Sequence, residues 1–214
     1  MRVRTLLLLL SCTIPLSNLG LGQEFSRWNA TIGGGVGFPQ STTADFANNG
    51  ANFVAGGGRN LNRYLGLDGE FMWHALPIKQ NVINDLQVPN ASARVYAVTL
   101  NAIVPIPTHG RMGFYGIGGG GWYHRSGELT APALVPGSVC DPFLIWWGDC
   151  VDGLVPGQKV LASSSSDAFG GNIGGGITYK FGSGLKLFGE VRYHHAPHNK
   201  VDTDLLPLTF GLRW

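Results

Sequence analysis

The chain has 214 residues, room for one domain of ordinary size. Only 13% of them are charged, against about a quarter in a typical soluble domain, and glycine is abundant at 33 residues. Of the 15 Lys and Arg, Arg2 and Arg4 fall in an N-terminal leader that holds no acid, which leaves 13 bases against 13 Asp and Glu. A chain so balanced lacks the basic excess that nucleic-acid binding requires.

The leader comes first in chain order. Met1-Arg2-Val3-Arg4 is a charged start, Thr5 to Leu10 is apolar, Pro15 breaks the run, and Gly20-Leu21-Gly22 supplies small residues at a cleavage spacing. Residues 1–22 therefore read as a removable signal peptide. Ser11, Cys12, Pro15, Ser17 and Asn18 interrupt the apolar run well short of the ~20 residues a spanning helix needs. A lipoprotein signal at Leu9-Leu10-Ser11-Cys12 would have a very short apolar region. Nothing after residue 22 resembles a spanning helix, so a membrane chain of this kind must close its backbone hydrogen bonds as a barrel.

Residues 23–214 parse into eight strands of about the length that crosses a bilayer when tilted. In the first, near 26–38, Trp28, Ala30, Ile32, Val36 and Phe38 alternate with Asn29, Thr31 and Gly33. The second, near 50–60, sets Phe53 and Ala55 against Asn52 and Val54. The third, near 63–76, is the clearest: Leu65, Leu67, Phe71, Trp73 and Ala75 alternate with Asp68, Glu70, Met72 and His74. The fourth, near 92–104, sets Tyr96, Val98, Leu100, Ala102 and Val104 against Thr99 and Asn101. The fifth, near 111–125, is dense in glycine, and the expected facing puts Tyr115, Ile117 and Tyr123 outward. The sixth, near 166–180, sets Phe169, Ile173, Ile177 and Tyr179 against Asn172, Thr178 and Lys180. The seventh, near 185–196, sets Leu185, Leu187, Val191 and Tyr193 against Lys186, Glu190, Arg192 and His194. In the last, Leu206, Leu208, Phe210, Leu212 and Trp214 alternate with small or polar residues.

Connections alternate between short and long, which is the pattern of short periplasmic turns and longer external loops. The longest link, near 126–165, carries Cys140 and Cys150, an even pair in an exported chain that is expected to form a disulfide. Closing that loop is worth about 2–3 kcal/mol in the chain-entropy model. The expected fold is all-β, an eight-stranded antiparallel up-and-down transmembrane β-barrel. A soluble lipocalin-like barrel is the alternative, with its apolar face turned inward. The few, mixed charges on the polar faces suit a small lumen better than a wetted exterior.

Leu65-Gly66-Leu67-Asp68-Gly69-Glu70-Phe71, the glycine-rich Tyr115 to Gly121, Glu190-Val191-Arg192-Tyr193-His194 and the closing Pro207 to Trp214 resemble the OmpA/OmpX-type outer-membrane β-barrel family. The resemblance covers essentially all of 23–214, with Trp214 where such barrels most often end in Phe. It implies an integral protein of the cell outer membrane with varied roles that include adhesion and envelope integrity. The partners it implies are outer-membrane lipid and lipopolysaccharide, the barrel assembly machinery through the C-terminal strand, and an unidentified surface ligand.

Four constellations invite a chemical reading. Asp68, Glu70, Lys180, Lys186, Glu190, Arg192 and Arg213 lie on inward faces. An eight-stranded interior is just wide enough for side chains, so these charges should pair into a polar plug. The alternative is a narrow ion or small-solute pore. Gly116, Gly118 and Gly121 match a nucleotide fingerprint, but a strand continues where a helix is required, so no cofactor is expected. His74, His124 and His194 lie near the external ends of strands, close to His195, His198, Asp202 and Asp204. Ordinary rim histidines are the expectation there, rather than a metal site or a base.

The segment around His194-His195 also resembles the barrel lipid A deacylases of the PagL type. Pro197 stands where their serine should be, and without that hydroxyl the nucleophile is missing. Phe143, Ile145, Trp146 and Trp147, between the cysteines, form an aromatic cluster suited to ligand capture or to resting in the outer leaflet. The expected function is a structural or surface-interaction role with no chemistry of its own. A pore is the first alternative and a lipid A-modifying enzyme the second.

Overall fold

The computed structural model describes residues 26–106, 108, 110–139, 150–181, 184–198 and 201–214. The expected signal peptide, residues 1–22, lies outside them. Eight strands close into one antiparallel barrel in simple sequence order. They are β1 (Trp28–Pro39), β2 (Gly50–Asn60), β3 (Gly66–Pro77), β4 (Asn90–Ile106), β5 (Met112–Val139), β6 (Val151–Lys180), β7 (Lys186–Ala196) and β8 (Thr203–Arg213). The last strand pairs back onto the first, from Thr31↔Arg213 to Pro39↔Leu205, so no edge remains along the wall. No described helix is long and apolar enough to cross a membrane.

The alternation read from the sequence sets the facing. Along β3, Asp68, Glu70, Met72, His74 and Leu76 are buried, while Leu67 and Phe71 stand exposed on the outer wall. The exposed side chains of β1, β4 and β8 include Ile32, Val36, Val98, Leu100, Val104 and Phe210. An apolar exterior around a polar interior is the arrangement of a barrel in lipid, the inverse of a soluble one.

Two expectations need correction. In β5, Tyr115, Ile117 and Tyr123 point into the barrel, at 5%, 3% and 1% exposure, and not outward. The reason is space. Inward glycines on β6 leave room that a ring can fill, and a Cβ built on Gly176 would lie 2.5 Å from the Tyr115 hydroxyl. The segment near 126–165 is not simply a loop. Its described residues continue β5 and β6 as a paired ribbon from Thr130↔Val160 out to Val139↔Val151, with a register shift at Leu129/Thr130. Pro132, Pro136 and Pro156 disfavour a ladder in local terms, but a two-stranded ribbon has free edges that tolerate a missing N–H.

At the loop end, two short helices, α1 (Thr43–Phe46) and α2 (Gln80–Asp85), sit in the connections after β1 and β3. They are tied together by Lys79 N–H donating to the Phe46 carbonyl at 2.9 Å and by an Ala47↔Ile78 bridge. Thr43 joins them to the last connection: its hydroxyl donates to the Asp202 carbonyl at 3.1 Å and accepts from Asp204 N–H at 2.9 Å.

Candidate functional site

The lumen is filled in two layers. The lower one is built on Arg192, brought up by the inward face of β7. Its guanidinium grips Glu70 of β3 with two bonds, Nη1 to Oε1 at 2.6 Å and Nη2 to Oε2 at 3.1 Å. Its Nε also donates to Glu190 Oε1 at 2.8 Å, and Nη2 bonds that same oxygen. A planar five-donor fork suits this arrangement, since one cation holds two carboxylates on strands that are distant in sequence. Glu190 is further satisfied by the Tyr115 hydroxyl at 2.7 Å and approached by Arg213 at 3.8 Å. Arg213 in turn donates from Nε to Thr31 at 3.1 Å and lies over the Tyr115 ring, 4.5 Å from its centroid.

Amides extend the network. Asn172 donates to Asn101 at 2.8 Å, Asn101 to Thr99 at 3.0 Å, and Asn52 to Thr209 at 2.7 Å. Glu70, Glu190 and Arg192 are each less than 5% exposed, which is how deeply the ion pairs are withdrawn from solvent. Asp68 is equally buried, but neither carboxylate oxygen has a hydrogen-bond partner among the described residues.

Above this layer the lumen is apolar. Val54, Met72, Leu76, Val95, Ala97, Tyr123, Ala196 and Leu205 form one buried cluster with Ala47 from the α1 connection. His74 and His194 sit here, fully enclosed and not on the rim. Tyr123 OH bonds His194 Nδ1 at 2.9 Å. His74 packs so closely on β1 that a Cβ at Gly37 would lie 1.5 Å from its ring. A through-path would have to cross both layers.

Of the seven residues expected in the lumen network, Glu70, Glu190, Arg192 and Arg213 come together. Asp68 is buried beside them, without an ion pair among the described residues. Lys180 and Lys186 do not reach them: they stand at the short-turn end, in register with each other. Tyr115, Asn52, Asn101, Asn172, Thr31 and Thr209 were not singled out from sequence. The inward asparagines and threonines share the alternating face of the charged residues, a signal that could have found them.

The external rim carries two histidine–aspartate pairs, each across neighbouring strands and on the outer wall. His124 meets Asp167 at 2.8 Å, and His195 meets Asp204 at 2.7 Å with Tyr193 OH donating to the same carboxylate oxygen at 2.7 Å. Among the described residues no three His, Cys, Asp or Glu are grouped to hold a metal ion. His198 instead bonds the Ala196 carbonyl at 2.9 Å.

Beyond the rim, β5 loses its β4 partner after Thr130 and β6 has no β7 partner above Gly171. The ribbon reaches on for about nine further residue pairs, roughly 30 Å at strand rise. Leu134 and Leu154 on it are 64% and 60% exposed. Cys140, Phe143, Ile145, Trp146 and Trp147 lie outside the described residues, and Cys150 is where the description resumes.

The family model described as "Outer membrane protein beta-barrel domain" matches residues 5–213. The crystal structure of Neisserial surface protein A superposes with a TM-score of 0.55 at 11% identity, covering 88% of this chain and 96% of that one. A major outer membrane protein from Thermus thermophilus superposes with a TM-score of 0.54 at 10% identity, covering 87% and 98%. At such identities the likeness concerns the fold alone. Among curated proteins, none matches the sequence.

Proposed function

The chain belongs to the outer membrane protein β-barrel domain family, and from that premise we propose that it is a surface-interaction protein of the outer membrane. In this reading it is an occluded barrel that holds an external ribbon at a distance from the cell and performs no chemistry of its own. The observation that carries the reading is the ribbon. It projects well past the rim with both long edges without a ladder partner among the described residues and with Leu134, Leu154, Val160 and Leu161 exposed on it. Exposed apolar surface outside the bilayer is costly unless a partner covers it, and extended edges are templates for recognition.

Cys140 and Cys150 follow and precede the last register pair, Val139↔Val151, so a disulfide between them would clamp the ribbon tip. Phe143, Ile145, Trp146 and Trp147 would then be displayed in a closed loop as anchors. A pore fits less well, because Arg192 with its two glutamates and the Met72–Val95–Leu205 layer fill the lumen. A lipid A-modifying activity fits least well, since the exposed His195 has an aspartate but Pro197 in place of a serine.

The test is adhesion of cells displaying the protein to immobilised matrix proteins and glycans. The comparison is with a variant whose residues 131–160 are replaced by a two-residue turn. Heat-shifted gel mobility checks that both barrels are folded. Adhesion should be lost with the ribbon and reduced in Cys140→Ser/Cys150→Ser. Equal adhesion by the trimmed barrel would sink the reading.

A further inference from the structure

Buried charge in the lower lumen does not balance. Asp68, Glu70, Glu190 and Arg192 are each less than 5% exposed, and Arg213, at 7%, completes the buried set. Three carboxylates therefore share two guanidiniums. Arg192 takes Glu70 and Glu190, and Arg213 stands 3.8 Å from Glu190 with its Nε committed to Thr31. Asp68 is the carboxylate left over. It is fully buried, and neither of its oxygens has a hydrogen bond or an ion pair among the described residues. An isolated buried carboxylate is costly, so this charge calls for a counterpart.

The other inward cations stand on the far wall. Lys180 of β6 and Lys186 of β7 are in register at the short-turn end, and Lys180 N–H donates to the Arg111 carbonyl at 2.8 Å. In a ring of eight, β6 lies opposite β2. Arg111, Lys180 and Lys186 form no ion pair among the described residues. His74 and His194 belong to the apolar layer above.

A further acceptor stands on the same wall as Asp68. Register sets Asn29 of β1 against Gly58 of β2, and Gly58 against Asp68 of β3. All three share the inward faces of Thr31, Asn52 and Glu70. Gly58 brings no side chain, and has no room for one: a Cβ there would lie 1.9 Å from the Leu67 carbonyl oxygen. Asn29 and Asp68 thus flank a gap of two strand spacings, about 10 Å between Cα atoms. The Asn29 amide is oriented by its Nδ2, which donates to Asn60 Oδ1 at 3.2 Å. Its Oδ1 is turned the other way, buried and without a partner among the described residues. Three acceptor oxygens, none with a donor, therefore flank Gly58. Carboxylate and amide oxygens of this kind, completed by water, are the ligands of a hard cation.

We propose that Asp68 and Asn29 hold one alkali-metal cation in the floor of the lumen, reached from the short-turn mouth. A single positive charge brings the buried set to neutrality, whereas a divalent ion would leave an excess charge in a low-dielectric lumen. Water supplies the remaining ligands. The ion joins β1 to β3 across Gly58, where neither side chain spans the gap by itself.

The experiment uses the full barrel refolded into phosphatidylcholine vesicles. The urea midpoint of its heat-modifiable band is followed as sodium chloride replaces tetramethylammonium chloride at constant ionic strength. Sodium should raise the folded-to-unfolded ratio, approaching about tenfold for each tenfold rise in sodium above half-saturation. Asp68→Asn removes the leftover charge with little change of shape. It should abolish the response, and in tetramethylammonium it should be at least as stable as the wild type. Asn29→Leu should move half-saturation to severalfold higher sodium. Asp85→Asn, in α2 beyond the external rim, should leave the response intact.

Identical midpoints in the two salts overturn the proposal, because Asp68 then carries a proton or is served by water alone. A sodium response that survives Asp68→Asn overturns it equally, since the ion is then held elsewhere. Should Asp68→Asn not refold, Asn29→Leu decides in its place, and an unaltered half-saturation is fatal.

Discussion

Below the rim, β5 and β6 are two staves of a closed wall; above it the same two strands run on with no further strand beside them among the described residues. In the wall every edge is paired, and the inward groups find one another around Arg192. In the ribbon, pairing satisfies only the inner edges, and Leu134 and Leu154 stay open to solvent. One stretch of chain thus builds its lower half into the closed wall and leaves its upper half exposed, and in the proposed reading that upper half is the part that meets a partner. The difference lies in ring closure, because only a strand with partners on both sides has its backbone fully bonded and a lumen to fill.

The comparison is most sharply broken at Arg192. Arg192→Met leaves Glu70 and Glu190 buried together without their cation and should cost about 3–5 kcal/mol. This can be measured as the urea midpoint of the heat-modifiable band, and a loss below about 1 kcal/mol would show that the ion pairs do not hold the plug. Removing both members in Glu190→Ala/Arg192→Ala should thin the lower layer. Discrete openings should then appear in planar bilayers, where the filled lumen of the wild type is expected to give none; continued silence would assign occlusion to the apolar layer around Met72 and Leu205.

Gly176→Val drives a side chain into the Tyr115 ring and should cost about 1–3 kcal/mol on the same assay. Tyr115→Phe removes one donor from a buried carboxylate, with an expected loss of about 1–2 kcal/mol. Smallest of all for stability, Leu134→Ser/Leu154→Ser should shift the midpoint by no more than about 0.5 kcal/mol while lowering adhesion. A large drop in stability there would mean that the ribbon packs as part of the fold.

The facing of β3 is legible in the sequence because Leu67, Phe71 and Trp73 alternate with Asp68, Glu70 and His74. That of β5 is not, because Gly116, Gly118, Gly119, Gly120 and Gly121 carry no polarity to read. Which side Tyr115 takes depends on the room left by Gly176 on the next strand. The ribbon reads as a loop because Pro132, Pro136 and Pro156 are turn formers in local terms. Pairing over 28 register positions overrides that local preference. The inward charges can be named from the alternation, but their partners cannot. Glu70 and Arg192 are 122 residues apart and meet only across the closed lumen.

Sequence alone determined the class of the molecule, through a period of two sustained over eight segments that no helix would repeat and through polar faces with too few charges for a wetted exterior. It also determined which face of most strands is polar, since side chains on a strand can only alternate. Tertiary structure alone decided the rest. Closure of β8 onto β1 brought Arg213 to Thr31 and Glu190, and barrel width decided that a tyrosine completes the ion network. Register placed Arg111, Lys180 and Lys186 in one row. These are distances between strands, and a strand's own sequence carries no record of its neighbours until the ring is closed.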